Sequence, residues 1–202
     1  MEIKRKKSAG FTLVELLVSL AVSLLVLTSV SSAFISQRKT YDAQEQMTEL
    51  IQGTRAVMEI ITREVKLAGF NPTRSTTLVG IPYSTTQLEI RADLNGDGET
   101  DGSFSPDDTN EEIIYTHDGT NLEIDRDTGS GVQTLAENIT AFTFDYLDGD
   151  GNATTTAGDV RMIAIAITAR TAKPDPDYGQ NSGYRTYTLA SSVSPPNLAI
   201  SP

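Results

Sequence analysis

Hydrophobic positions divide the chain into a long apolar run, an amphipathic stretch and a region of alternating residues. From residue 11 to residue 35 nearly every position is apolar or small, and a run of about 25 such residues can cross a bilayer as a helix. Polar residues then appear, but apolar ones still recur at steps of three and four. This spacing predicts that the helix continues as an amphipathic stem to Ala68. Gly69, followed by Asn71 and Pro72, marks its predicted end.

The apolar positions of the stem lie on one side of this helix. They are Met47, Ile51, Thr54, Met58, Ile61, Val65 and Ala68, with Leu50, Val57, Ile60 and Leu67 beside them. A stripe of this width is typical of a helix that packs on a globular domain. A coiled coil with partner helices is the alternative, and the two arrangements are compatible if several subunits bundle.

From Thr73 onward the pattern becomes strand-like, and Phe142, Phe144 and Tyr146 show the alternation of a half-buried strand. The predicted strands are residues 87–92, 112–117, 121–125, 141–147, 161–171 and 185–191. We therefore expect an α+β fold, in which the stem helix packs on an antiparallel β-sheet. The expected divisions are a leader (1–10), a transmembrane or filament-core helix (11–35), a stem (36–70), a β-rich domain (71–193) and a loose tail (194–202).

Charge is distributed unevenly along the 202 residues. The whole chain has a net charge of −11, but its first ten residues carry +3, so the remainder carries −14. Such an acidic domain should repel nucleic acid and attract divalent cations. The chain contains no cysteine, which excludes disulfides, zinc–thiolate sites, iron–sulfur clusters and a cysteine nucleophile.

A carboxylate inside the apolar run distinguishes three interpretations of the N-terminal segment. The basic residues before the run predict a single pass through a membrane, with a cytoplasmic N-terminus and an exported C-terminal domain. A secretory signal peptide cut after Ser31 and Ala33 and a plain signal anchor are two interpretations. Neither needs Glu15, which costs about 2.5–3.5 kcal/mol in a membrane segment. A new amino terminus made a few residues upstream would supply a partner for Glu15, and this is the third interpretation.

The run Lys6-Lys7-Ser8-Ala9-Gly10-Phe11-Thr12-Leu13-Val14-Glu15-Leu16 resembles the prepilin motif of type IV pilins and secretion pseudopilins. The resemblance implies that a prepilin peptidase cuts after Gly10 and methylates the new terminus at Phe11. It also implies that Glu15 pairs with the amino group of a neighbouring subunit during assembly. The implied partners are other major and minor pilins, membrane lipid and the inner-membrane assembly platform, and the implied destination is a pilus or pseudopilus.

Two further segments resemble a narrower class. Residues 55–70 end in Lys66-Leu67-Ala68-Gly69-Phe70, and with residues 135–146 they are similar to minor pilins of the PilW type and to J-type pseudopilins of type II secretion. The resemblance implies a minor pilin in the tip or priming complex of a pilus. Its alternative is a J-type pseudopilin, and neither role is enzymatic or requires a cofactor.

The segment from Asp93 to Asp101 matches the first part of a calcium loop. Asp93, Asn95, Asp97 and Asp101 are the side-chain ligands that this pattern predicts, and Glu99 would ligate through its carbonyl. Phe104 stands where such loops place a bidentate carboxylate, so Asp107, Asp108, Glu111 or Glu112 would have to fold back. The alternative is an acidic hairpin loop that is merely solvated. If calcium binds, the domain is a candidate calcium-dependent adhesive or ligand-binding module.

A second acidic segment is a weaker calcium candidate. Asp148, Asp150 and Asn152 lie close together and Asp159 occupies the twelfth position, but Ala153 replaces the glycine of the sixth. A tight turn between two strands would explain the same residues without metal. His117 is the only histidine and is expected to be a strand residue, and a hydrolase is a distant third hypothesis.

Overall fold

The computed structural model describes residues 10–98 and 109–198. The first element is a helix, α1, at Leu13–Val65, which is uninterrupted over 53 residues. The chain consists of two compact units, and the boundary between them lies within this helix. The first unit ends at Glu45 and the second begins at Gln46. The continuous helix predicted from the hydrophobic pattern is therefore present, although it ends three residues earlier than expected.

The first unit exposes an apolar surface. Within α1 there is one stretch that is long and apolar enough to cross a membrane, with a mean hydropathy of 2.4, and none of it is buried within the chain. The exposed residues include Leu20, Leu24 and Leu27, each more than half accessible. Such a continuous apolar surface is unstable in water, so it requires lipid or other helices as its surroundings.

In the second unit α1 buries one face, as the stripe predicted. The buried helical residues are Thr54, Val57, Met58, Ile61, Glu64 and Val65. They are spaced by three and four residues, so they share one side of the helix. Leu67 remains 42% exposed because α1 has already ended at Val65 and the chain continues in a turn. The prediction of core packing is confirmed for the turns nearest the end of the helix.

Within the described residues, seven strands form two antiparallel sheets. The first sheet has the order β1 (Gln87–Arg91), β2 (Glu112–Asp118), β3 (Glu123–Asp127) and β4 (Gln133–Glu137); the second has β5 (Ile139–Leu147), β6 (Met162–Arg170) and β7 (Thr186–Val193). Each of the six predicted strands overlaps one of these. One hydrophobic cluster takes side chains from α1 and from both sheets, with Ile163, Ile165 and Ile167 of β6 almost completely buried.

Two features of the sheets differ from the prediction. The strand β4 was not predicted, because it has little alternation and only Leu135 and Ala136 of its residues pack against the core. The chain also forms two sheets, where one was expected. Asn138 separates β4 from β5 with a φ of +61°, a left-handed conformation that asparagine tolerates and that ends the strand before it.

The tail that was expected to be loose from residue 194 makes specific contacts in its described part. Pro195 is buried, Leu198 packs against the hydrophobic cluster, and the Asn197 amide donates a hydrogen bond to the Ala68 carbonyl at 3.4 Å. A Cβ atom on Gly69, whose φ is +74°, would lie only 2.5 Å from a Leu198 methyl carbon. Because Gly69 has no side chain, Leu198 of the tail can pack directly beside it.

A buried carboxylate fastens α1 to the first sheet. Glu64 accepts hydrogen bonds from the Tyr115 hydroxyl of β2 and from Arg126 of β3, the latter through two nitrogens at 2.8 and 3.1 Å. Burial, together with the neighbouring Glu64 carboxylate, raises the pKa of Tyr115 above its ordinary value. The hydrogen bond from Arg126 to Glu64 likewise raises the pKa of the guanidinium. Both side chains therefore act as permanent donors to Glu64.

Candidate functional site

The N-terminal processing segment lies at the start of α1. Gly10 and Phe11 precede the helix, both are exposed, and Phe11 is 84% accessible. A Cβ atom added to Gly10 would meet nothing within 4 Å among the described residues. Packing within the described part of the chain therefore does not require glycine at this position.

Glu15 takes part in the N-terminal cap of its own helix. The backbone nitrogen and the hydroxyl of Thr12 both donate to Oε2 of Glu15, at 2.9 and 2.8 Å, and the Glu15 nitrogen donates to the Thr12 hydroxyl at 3.3 Å. This reciprocal arrangement is a capping box, and its Thr-x-x-Glu signature could have been recognised in the sequence. Removal of residues 1–10 would leave all of these atoms in place, so the mature chain retains a capped helix.

The first acidic loop connects β1 to β2, and the hairpin brings its two ends together. Arg91 pairs with Glu112 across the strands, and the next residue, Ala92, donates its N–H to the Glu111 carbonyl at 2.8 Å. Asp93 and Glu111 therefore meet where the loop opens. One carboxylate oxygen from each of Asp93, Asp97 and Glu111 lies within 4.8 Å of the other two. Of the two described candidates for the folded-back carboxylate, Glu111 and Glu112, it is Glu111 that lies beside Asp93 and Asp97.

Backbone donors shape this loop around two buried carboxylates. Asp93 accepts hydrogen bonds from the nitrogens of Gly96 at 2.7 Å and Gly98 at 3.1 Å. Gly98 has a φ of +86°, so the turn requires a residue without a side chain. Glu111 accepts through Oε1 from the nitrogens of Leu94 and Asn95, each at 2.8 Å.

The loop is also attached to the segment that follows α1. The Asp93 nitrogen donates to the Phe70 carbonyl at 2.8 Å, and the Thr73 hydroxyl donates to Oδ2 of Asp93 at 2.9 Å. Among the residues predicted to bind metal here, Asp93, Asn95 and Asp97 are described. Glu99 and Asp101, with Phe104, Asp107 and Asp108, lie outside the described residues.

Glu112, the neighbour of Glu111, serves a different contact. Glu112 is the first residue of β2 and pairs with Arg91, which also contacts Glu89 at 2.5 Å. Burial raises the pKa of Glu112, and the neighbouring Glu89 carboxylate raises it further. Glu112 is therefore not the carboxylate that completes the loop.

The second acidic segment forms a self-contained turn after β5. Oδ1 of Asp148 accepts hydrogen bonds from the backbone nitrogens of Asp150 at 2.9 Å and Asn152 at 2.8 Å. These bonds, the one from Asn152 first, lower the pKa of Asp148. Asp159 lies in a separate 3₁₀ turn, Ala157–Asp159. Among the described residues, the acidic triplet close enough to share an ion consists of Asp93, Asp97 and Glu111, and none of these carboxylates belongs to it.

His117 lies on β2, as expected from the sequence. Its Nε2 is 3.1 Å from the carbonyl oxygen of Ile139, the first residue of β5, so the histidine connects the two sheets. The acidic triplet described above does not include it. The position of His117 is therefore explained by packing within the domain.

Comparisons with known proteins bear on both parts of the chain. Residues 5–31 match the prokaryotic N-terminal methylation motif, and residues 43–193 match the family described as prepilin peptidase-dependent protein B. Among solved structures, a type IV-like pilin from Thermus thermophilus aligns with 74% of this chain and 98% of its own, at 14% identity and a TM-score of 0.47. No curated protein matches the chain. Because the second family match covers well over half of the sequence, the chain belongs to the prepilin peptidase-dependent protein B family and is a type IV pilin-like prepilin.

Proposed function

We propose that this protein is a minor type IV pilin, cut after Gly10 by prepilin peptidase and methylated on Phe11. The mature subunit then joins the tip or priming complex of a pilus. One observation carries the proposal: the apolar stretch of α1 is wholly unburied within the chain, and it follows directly on the Gly10-Phe11 pair. Family and fold agree with a structural rather than an enzymatic role.

The exposed apolar surface supports a helix that passes from lipid into a bundle of other pilin helices. Before assembly the stretch would span the inner membrane, with the acidic domain exported. Glu15 is the only charged residue between Phe11 and Gln37. In a bundle, it would pair with the methylated amino group of a neighbouring subunit, because two charges that are costly alone in lipid become tolerable as a pair. The assembly platform and the other pilins are the partners that this step requires.

Processing can be tested on the intact protein in cells that contain prepilin peptidase. We expect mass spectrometry to find an N-methylated Phe11 as the mature N-terminus. Gly10→Val should prevent cleavage, since a branched side chain would occupy the position that the peptidase must approach. Gly53→Ala is the matched control, because a Cβ there also meets nothing within 4 Å. A mature terminus at Phe34, or an intact Met1 in the wild type, would contradict the proposal.

The pilus and secretion roles make different predictions for a strain that lacks the gene. The similarity of residues 66–70 to both PilW-type pilins and J-type pseudopilins keeps the second role as the alternative. A minor pilin of the priming complex predicts that electron microscopy will show few or no pili, while protein secretion is normal. Normal piliation with a loss of secreted proteins would assign the chain to a secretion system instead.

A further inference from the structure

The acidic cluster at the β1–β2 loop concentrates negative charge in a buried place. Asp93 is completely buried, Glu111 is 2% exposed, and Asp97 lies at the surface beside them. Three carboxylates within 4.8 Å repel one another, and the burial of two of them removes the water that would screen this repulsion. Among the described residues, the hydrogen bonds to the carboxylates of Asp93 and Glu111 come from backbone nitrogens and from the Thr73 hydroxyl, and none comes from a lysine or an arginine.

One carboxylate oxygen of this cluster has no hydrogen-bond partner among the described residues. Oε1 of Glu111 accepts two backbone hydrogen bonds, but Oε2 is buried and has no hydrogen-bond partner among the described residues. Leaving a buried carboxylate oxygen without a partner is unfavourable, and buried carboxylates are ordinarily paired or bound to metal. This is an observation separate from the charge cluster, and it calls for a cation at the same place.

The donor set selects the kind of cation. All three groups offer carboxylate oxygens, and the chain has no cysteine and places its only histidine elsewhere. Oxygen ligands favour hard divalent ions, and a glycine at the sixth position of an acidic loop is typical of a calcium site. Magnesium demands a nearly ideal octahedron and retains its water more strongly.

We propose that Asp93, Asp97 and Glu111 bind one calcium ion at the opening of the β1–β2 loop. Asp93 and Asp97 are the first and fifth positions of the loop, and Glu111 takes the place of the missing twelfth by way of the hairpin. The ion offsets most of the negative charge of the cluster and supplies a partner for Oε2 of Glu111. Because Asp93 is bonded to Phe70 and Thr73, the ion also stabilises the attachment of this loop to the end of α1. The site belongs to the second unit and does not depend on where the N-terminus is cut.

The test is a calcium titration of the full-length chain in detergent, after metal has been removed with EDTA and the chelator dialysed away. Isothermal titration calorimetry should show binding with a dissociation constant on the order of 10⁻⁴–10⁻³ M, as in other extracellular calcium modules. Calcium should raise the melting temperature, and magnesium should bind at least tenfold more weakly. Absence of both heat and a thermal shift at about 10 mM calcium would overturn the proposal.

Substitutions of single carboxylates test where the ion binds. Glu111→Gln should weaken calcium binding at least tenfold, and Asp97→Asn should do the same at an exposed position where the fold is not at risk. Asp148→Asn is the matched control, since it removes a charge from the other acidic turn and should bind calcium like the wild type. Wild-type affinity in both Glu111→Gln and Asp97→Asn, or a loss of binding confined to Asp148→Asn, would place the ion elsewhere and refute the site.

Discussion

Two buried carboxylates of the second unit, Glu64 and Glu111, have opposite surroundings. Glu64 is 8% exposed, and both of its oxygens accept hydrogen bonds, from Tyr115 and from the cationic Arg126. Glu111 is 2% exposed, but it lies beside two further carboxylates and leaves one oxygen without a partner. Burial alone therefore does not distinguish a carboxylate that has all of its partners from one that lacks a partner, whereas the donors and charges around it do.

The largest change in stability is expected from a substitution at Glu64. Glu64→Gln should destabilise the domain by about 2–4 kcal/mol, because a half-buried Arg126 guanidinium loses the charge that pairs with it. Urea unfolding followed by tyrosine fluorescence measures the change. Glu59→Gln is the control, since Glu59 is exposed on the same helix and should be nearly neutral. Equal stabilities of the two variants would contradict the structural role of Glu64.

The same substitution at Glu111 should have the opposite sign when calcium is absent. Glu111→Gln keeps an oxygen for Leu94 and Asn95, removes one of three repelling charges and replaces the unpartnered oxygen with a donor. In EDTA we expect a gain of about 1–2 kcal/mol in the free energy of unfolding. With saturating calcium the wild type should become the more stable protein. A loss of stability in EDTA would show that the Glu111 carboxylate already has favourable partners without calcium.

Glu112 provides a test through pH. Its pKa is raised in the folded state by burial and by Glu89, so the folded protein holds this proton more tightly than the unfolded chain does. Its contribution to stability is present at low pH and is lost as the pH rises from its usual pKa of 4.5 through the raised value. Melting temperatures between pH 4 and pH 8 should therefore fall more across this window in the wild type than in Glu112→Gln. Parallel curves would rule this out.

The smallest effect is expected at the second acidic turn. Asp148→Ala removes hydrogen bonds of an exposed turn that involves neither a cluster of charges nor the hydrophobic core, so the cost should be about 0.5 kcal/mol. Calcium should stabilise this variant as much as it stabilises the wild type. If the calcium response disappeared in Asp148→Ala, the turn at Asp148 would have to take part in calcium binding, and the proposed difference between the two loops would be wrong.

Much of the fold could be predicted because it depends on local pattern. The helix α1, its buried stripe and six strands followed from periodicities of three to four residues and of two. The strand β4 was missed because its polar sequence acquires strand structure by pairing with β3, as Thr134 does with Asp125. Pro and Ser are common in loose segments and suggested a loose tail, whereas in its described part Leu198 packs next to Gly69. These errors concern contacts between segments that are distant in the chain.

The sequence by itself determined the N-terminal part of this protein: the apolar stretch, the Gly10-Phe11 pair and the single carboxylate at Glu15 are contiguous. Their chemistry depends on the surrounding lipid more than on the rest of the chain. The tertiary structure alone decided the partners of the buried carboxylates. Arg126 reaches Glu64 across 62 residues, and Glu111 joins Asp93 only because β1 and β2 pair in one register. Long-range pairing brings such groups together, and no local pattern records which oxygen is left without a partner.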